Sequence, residues 1–116
     1  MILLSSIRET LKRNHVTFAE LSRLEGFWGP LDLLINHEKA SNVVIWSGMS
    51  QEAVDALWVI QQEGEYEMVP TTALTYLIDG VTLNLPIAKS ARHYKKPRWA
   101  PTVLRKKLTA ERKPAP

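Results

Sequence analysis

The fold of this chain is decided largely by residues 50–69, which read SQEAVDALWVIQQEGEYEMV. Side chains in the first part recur at the i, i+3, i+4 and i+7 spacing that places them on one face of a helix. The pattern predicts that the buried face consists of Val54, Leu57, Trp58 and Gln61. Ser50 is placed to cap the start of this helix, and Gly64 is placed to end it. After Gly64 the apolar residues recur at every second position, which predicts a strand over residues 65–69.

The region before residue 50 contains signals for three short helices and one strand. SIRE (residues 6–9) and TFAE (residues 17–20) have capping-box spacing, so one helix is predicted from Ser6 to about Asn14 and another from Thr17 to near Gly26. Pro30 suits the first turn of a third helix, whose apolar face is Leu31, Leu34 and Ile35. The β-branched run NVVIW, residues 42–46, predicts a strand.

Residues 65–85 are predicted to form a three-stranded antiparallel meander. Apolar residues recur with a period of two in three segments, EYEMV (65–69), LTYLI (74–78) and VTLNL (81–85). Asp79-Gly80 lies between the second and third segments and is typical of a tight hairpin turn, because the glycine accepts a positive φ.

The charge distribution divides the chain at Pro86. Residues 1–86 contain five Lys or Arg and eleven Asp or Glu, a formal charge of −6, whereas residues 87–116 contain ten Lys or Arg and one Glu, a formal charge of +9. The length of 116 residues is typical of one domain with a tail. We therefore expect an α+β domain of three to four helices and the meander over 1–86. A basic C-terminal arm, partly disordered at its end, is expected over 87–116.

The order of helices, short strand, helix and strand pair resembles the winged helix-turn-helix superfamily over roughly residues 6–80. In that superfamily a small strand precedes the recognition helix and a β-hairpin wing follows it. NVVIW, SQEAVDALWVIQQEG and YEMVPTTALTYLI occupy those places here. The resemblance implies a DNA-binding domain whose recognition helix enters the major groove and reads base edges.

The predicted recognition helix differs from those of the superfamily because its outward face is acidic. Its outward face carries the carboxylates of Glu52, Asp55 and Glu63 and no Lys or Arg, so it would repel phosphates. If the domain binds DNA directly, the other candidate is the exposed end of the third predicted helix, which contains Asn36, His37 and Lys39.

The candidate binding residues therefore lie in the basic segment RHYKKPRWAPTVLRKK, residues 92–107, which contains no acid. The candidates are Arg92, Tyr94, Lys95, Lys96, Arg98, Trp99, Arg105, Lys106 and Lys107. The cations would neutralise phosphates, and Tyr94 and Trp99 would stack on exposed bases of single strands or unpaired RNA. In the alternative interpretation, Trp99 folds back onto the domain as an anchor.

Catalytic, metal and membrane signals are not evident in the sequence. The chain has no cysteine, its three histidines lie far apart, and it contains neither a phosphate-binding glycine loop nor a GxSxG motif. No run of about 18 apolar residues is present, and the first residues lack the apolar core of a signal peptide. We therefore expect a cytoplasmic protein that is not an enzyme, uses no cofactor or metal, and does not contact a membrane.

Two functions remain open at this stage. The first is a nucleic-acid-binding accessory or regulatory protein, for example in transcription, that binds DNA or RNA mainly through the basic arm. The second is an adaptor that docks a protein partner through the acidic helix 50–63 or the wing. A continuous positive face that joins the arm to Arg8, Lys12 and Arg13 would favour nucleic acid, whereas an isolated tail beside an apolar patch would favour a protein partner.

Overall fold

A computed structural model describes residues 2–35, 38–90 and 92–107 as a mixed α+β structure. The helices within these ranges are α1 (Ile2–Leu11), α2 (Phe18–Leu21), α3 (Gln51–Glu63) and α4 (Ala73–Asp79). The strands are β1 (Val16–Thr17), β2 (Trp28–Leu34), β3 (Ser41–Met49), β4 (Tyr66–Pro70), β5 (His93–Trp99) and β6 (Thr102–Lys106). No helix in the described ranges is long and apolar enough to cross a membrane.

The six strands form two three-stranded sheets. In the first sheet, β6 lies between β1 and β4 and runs antiparallel to both. In the second sheet, β3 lies between β2 and β5, antiparallel to β2 and parallel to β5. Since β5 and β6 are consecutive in the chain, the segment between them connects the two sheets.

The two predicted helix caps around α2 and α3 are confirmed. The Thr17 hydroxyl accepts a hydrogen bond from the Glu20 backbone N–H at 3.2 Å, and the Ser50 hydroxyl accepts one from Ala53 at 3.1 Å. Gly64 ends α3 with a φ of 73°. α2 is shorter than predicted and ends at Leu21. These features depend on contacts within a few residues, which explains why the sequence predicts them.

α1 begins earlier than predicted. It begins at Ile2, so Ser6 lies inside the helix, where its carbonyl accepts a hydrogen bond from the Thr10 hydroxyl at 2.9 Å. The prediction of a start at Ser6 is therefore wrong. Leu3, Ile7 and Leu11 are buried at intervals of four residues, and this apolar face extends the helix past the capping signal.

α3 buries a different face from the one predicted. The buried residues are Ala53, Ala56, Leu57 and Ile60, which satisfy the same i, i+3, i+4, i+7 spacing. Trp58 is 65% exposed and Gln61 is exposed, so their predicted burial is wrong. The two small alanines allow the helix backbone to approach its neighbours closely, which a tryptophan at the same contact would prevent.

The predicted third helix is the strand β2. Its residues alternate between exposed and half-buried, and Leu33 pairs with Trp46 of β3. Gly29 allows a close backbone approach here, because a Cβ at that position would lie 2.5 Å from the Cα of Ser50. Pro30 is tolerated because β2 is an edge strand, where a missing N–H leaves no ladder partner unpaired.

The predicted meander is wrong beyond its first strand. β4 forms as expected, but residues 73–79 are the helix α4 and residues 81–85 form no strand. Gly80 has the expected positive φ, 82°, yet it ends a helix rather than a hairpin turn. The helix places Tyr76 in the core, where its hydroxyl hydrogen-bonds with the Phe18 N–H and the Thr102 carbonyl, and leaves Leu74, Leu77 and Ile78 exposed.

The basic segment is not a separate arm over its described residues. β5 and β6 belong to the two sheets, and Trp99, Val103 and Leu104 are buried in them. The division of the domain at residue 86 is therefore wrong, and the alternative in which Trp99 anchors the segment is confirmed. The predicted disorder at the end of the arm concerns residues 108–116, which lie outside the described ranges.

Four aromatic rings form the centre of the core. Trp46 lies 5.3 Å from Tyr76 and 6.2 Å from Phe18, measured between ring centroids, and Tyr76 meets Trp99 edge-on at 4.9 Å. The Tyr76 hydroxyl accepts a hydrogen bond from the Phe18 N–H and donates one to the Thr102 carbonyl. Burial raises the pKa of Tyr76 well above its ordinary value, so this hydroxyl stays protonated. The cluster joins α2, β3, α4 and the β5–β6 segment.

Candidate nucleic-acid interface

A bulge in β5 displays the basic residues at the edge of the second sheet. Ser41 pairs with His93 and Val43 pairs with Arg98, so residues 94–97 of β5 lie opposite the single residue Asn42 of β3. The extra backbone projects from the ladder, and the Lys95, Lys96 and Pro97 that it contains are exposed. Pro97 lacks an N–H and so interrupts pairing.

The Tyr94 side chain is buried at the base of the bulge and joins it to residues 89 and 90. It is only 8% exposed, and its hydroxyl accepts hydrogen bonds from the backbone N–H groups of Lys89 and Ser90 at 3.1 and 3.3 Å. The same hydroxyl donates to the Ser90 carbonyl at 2.9 Å. The guanidinium carbons of Arg92 and Arg98 lie 5.0 and 4.8 Å from the centroid of its ring. Tyr94 thus holds two cations in place by cation–π contacts.

The surroundings of Tyr94 also change its acidity. Burial alone opposes ionisation of the phenol. The hydrogen bonds with Ser90 and the positive charge of Arg92 outweigh that effect, so the pKa of Tyr94 lies below its ordinary value. A lowered pKa is the expected response to a cluster of positive charge.

The resulting surface, which we call the β5 cluster, is a concavity of about 410 Å³. It is lined by Arg92, His93, Tyr94, Lys95, Lys96 and Arg98 and by no carboxylate. His93 is exposed, and its Nδ1 lies 3.0 Å from the Ser41 hydroxyl. None of the ion pairs among the described residues involves the β5 cluster. Its charges are thus available to an anion from solution.

Three of the other predicted site residues lie apart from this cluster, on the first sheet. Arg105 pairs with Glu67 at 2.8 Å. Lys106 is half-buried and lines a concavity of about 370 Å³ that also contains Glu63 and Glu65. Lys107 is exposed, and its backbone N–H donates to the backbone carbonyl of Glu65. The structure therefore places five of the nine predicted residues in the basic β5 cluster and three on a surface of mixed charge, while the ninth, Trp99, is buried in the core.

The continuous positive face with Arg8, Lys12 and Arg13, which would have favoured nucleic acid, is not seen among the described residues. Arg8 pairs with Glu63, Lys12 with Glu9 and Arg13 with Glu20, which offsets the charge of each base. Of the alternative DNA-contact residues, Lys39 is exposed after β2, while Asn36 and His37 lie outside the described residues.

A second surface, missed at the sequence level, is an apolar groove of about 580 Å³ beside α3. Its lining includes Leu34, Ile45, Trp58, Met68 and Pro101, from β2, β3, α3, β4 and the β5–β6 segment. Trp58 lies here because the alanine face of α3 is the buried one. The only signal in the sequence was the second set of residues with helical spacing, Ala53 to Ile60.

Comparison of the chain with protein-family models, with curated proteins and with solved structures found no match. No group of three His, Cys, Asp or Glu that could hold a metal ion occurs among residues 2–35, 38–90 and 92–107. The chemistry available to the two surfaces is therefore judged from their own residues.

Proposed function

We propose that this protein is a nucleic-acid-binding accessory or regulatory protein that contacts phosphates through the β5 cluster. One observation carries the proposal: Arg92, Lys95, Lys96 and Arg98 lie within seven residues around one concavity, and no described carboxylate pairs with them. Cations in such an arrangement bind a polyanion by releasing its condensed counterions, which requires no particular base sequence. DNA and RNA both present that chemistry.

The cluster residues have different roles in this mechanism. Lys95 and Lys96 act as flexible point charges at the tip of the bulge, whereas the guanidinium groups of Arg92 and Arg98 are oriented by the Tyr94 ring. Arg98 also donates to the Ile87 carbonyl at 3.4 Å. We propose no catalytic step, since binding alone accounts for the arrangement.

The winged-helix hypothesis is retained as a proposal in modified form. β3 precedes α3 and β4 follows it, as the resemblance requires. β4, however, pairs with β6, and residues 71–101 are inserted between these two strands. The exposed Glu52 and Asp55 of α3 disfavour entry of that helix into the major groove, so the proposed contact is through β5.

Replacing Lys95 and Lys96 together by alanine should weaken binding to nucleic acid at least about tenfold. Each lost phosphate contact should also reduce the slope of log affinity against log salt by about 0.9 on duplex DNA. Fluorescence anisotropy with labelled duplex DNA and RNA at several salt concentrations measures both quantities.

The matched control is the double change of Lys12 and Arg13 to alanine, which removes the same charge from residues that pair with Glu9 and Glu20. Its affinity should stay close to that of the unmodified protein. An equal loss in both variants would show that binding depends on net charge alone and would contradict a site at the β5 cluster.

A second candidate function, docking of a protein partner, is favoured by the exposed Trp58 groove. No acid lines the groove itself, but β2, β3, α3 and β4, which form most of it, contain Asp32, Glu52 and Asp55 and no Lys or Arg, in addition to Glu63 and Glu67, which pair with Arg8 and Arg105. Asp32, Glu52 and Asp55 are exposed. We therefore propose that the occupant is a protein segment with apolar side chains flanked by Lys or Arg, because such a segment complements both the groove and its charge.

A test of this docking site uses 15-residue peptides that share apolar positions and differ only in Lys, Gln or Glu at the flanks. The protein should bind the Lys peptides most tightly, and Trp58→Ala should weaken that binding at least about tenfold in calorimetric titrations, because tryptophans often dominate interfaces. Trp28→Ala, another exposed tryptophan, is the control. Equal binding of the Glu peptides would contradict the proposal. Self-association that Trp58→Ala abolishes would assign the groove to a second copy instead.

A further inference from the structure

We infer that the β5 cluster prefers double-stranded to single-stranded nucleic acid, an inference that rests on the proposed function. The sequence had indicated the opposite preference, since cations interleaved with aromatic residues are typical of sites that stack on unpaired bases. The positions of the two aromatic rings reverse that expectation.

Neither aromatic ring of the segment is available to a base. Trp99 is 1% exposed and lies against Trp46 and Tyr76 in the core. Tyr94 is 8% exposed, and two guanidinium groups already lie over its ring. Single-strand binding proteins gain much of their affinity from stacking on such rings. Tyr94 and Trp99 therefore cannot supply this contribution at the β5 cluster.

The exposed ring within the cluster is His93. Its Nδ1 lies 3.0 Å from the Ser41 hydroxyl, which orients the imidazole beside the strand. The guanidinium groups of Arg92 and Arg98 can also stack on bases in principle, but each already lies over the Tyr94 ring. His93 is consequently the residue by which base stacking at this site can be tested.

The concentrated positive charge of the bulge suits a duplex. Duplex DNA carries one phosphate charge per roughly 1.7 Å of its axis, about twice the density along one strand. Lys95 and Lys96 lie at the projecting tip, while Arg92 and Arg98 lie at its two ends. The guanidinium groups of Arg92 and Arg98 converge on the Tyr94 ring, so the cations form one compact group. A duplex presents more phosphates to such a group than a single strand does.

The experiment compares a labelled 20-nucleotide single strand with the duplex of the same sequence, using the full chain and anisotropy titrations from about 50 to 200 mM salt, the range over which phosphate contacts dominate affinity. The duplex should bind at least about fivefold more tightly. Its salt slope should decrease when Lys95 and Lys96 are replaced. His93→Ala should leave the preference unchanged, and circular dichroism confirms that the variants are folded.

The outcomes separate this inference from the function on which it rests. A single strand that binds as tightly as the duplex, or more tightly, overturns the inference and leaves nucleic-acid binding standing. A preference that His93→Ala alters by more than about threefold also overturns it, because stacking would then contribute. Failure to bind either form at 50 mM salt, or tighter binding of heparin than of the duplex, contradicts the proposed function itself.

Discussion

Deletion of residues 89–116 should abolish cooperative folding of the chain. The deletion removes β6, which pairs with Val16–Thr17 on one side and with Tyr66–Pro70 on the other. Without it, β1 and β4 have no partner in the first sheet, and the edge of β3 that pairs with β5 becomes exposed. The strands that remain would lose hydrogen-bond partners and apolar cover. We expect the cost in free energy to exceed the total stability of a domain of this size, about 5–15 kcal/mol.

Thermal unfolding followed by circular dichroism tests this expectation. The truncated chain should show no cooperative transition, whereas a chain that lacks only residues 108–116 retains every described strand and should unfold cooperatively. A cooperative transition in the longer deletion would contradict the placement of β6 at the centre of the first sheet. It would restore the interpretation of residues 87–116 as a separate arm.

Trp99→Ala should lower the free energy of unfolding by about 3–5 kcal/mol, the range for removal of a large buried aromatic side chain. The ring packs against Trp46 and Tyr76, with Trp99 and Tyr76 4.9 Å apart, so truncation leaves a cavity where the two sheets meet. The indole N–H of Trp99 has no hydrogen-bond partner in the described structure, so most of the loss comes from packing. Trp99→Phe should therefore cost less.

The control for this variant is Trp58→Ala. Trp58 is 65% exposed, and surface substitutions usually change stability by no more than about 0.5 kcal/mol. Urea denaturation at a common m-value measures both variants. Equal and small changes in the free energy of unfolding for the two variants would contradict the placement of Trp99 in the aromatic core. A loss of single-strand binding by a stable Trp99→Ala protein would support the stacking interpretation instead.

The sequence was informative about the candidate site where the site depends on composition. The concentration of cations in residues 92–98 is visible without a structure, and it singles out Lys95, Lys96 and both arginines. It does not show that Tyr94 and Trp99 are buried, because their burial depends on β3 and on the aromatic core. It also does not show that Arg105 pairs with Glu67, 38 residues away.

The sequence by itself determined the features that depend on near neighbours. These are the caps of α2 and α3, the strand within residues 42–46, the strand that follows Gly64, and the positive φ at Gly80. The caps and the glycine φ depend on a hydrogen bond or a backbone preference within about four residues. The two strands are indicated by local residue preference, although their hydrogen bonds join distant segments.

Only the tertiary structure decided between patterns that satisfy the same local rule. Two sets of residues in α3 have helical spacing, and packing selects the one with small alanines. Residues 74–78 suit a strand or a helix, and they form the helix that places Tyr76 against Trp46 and Trp99 in the core. β6 in turn finds its partners far away in the chain, with Val16 opposite Leu104. The free energy of such pairings comes from hydrogen bonds and apolar burial between distant segments, which no local pattern contains.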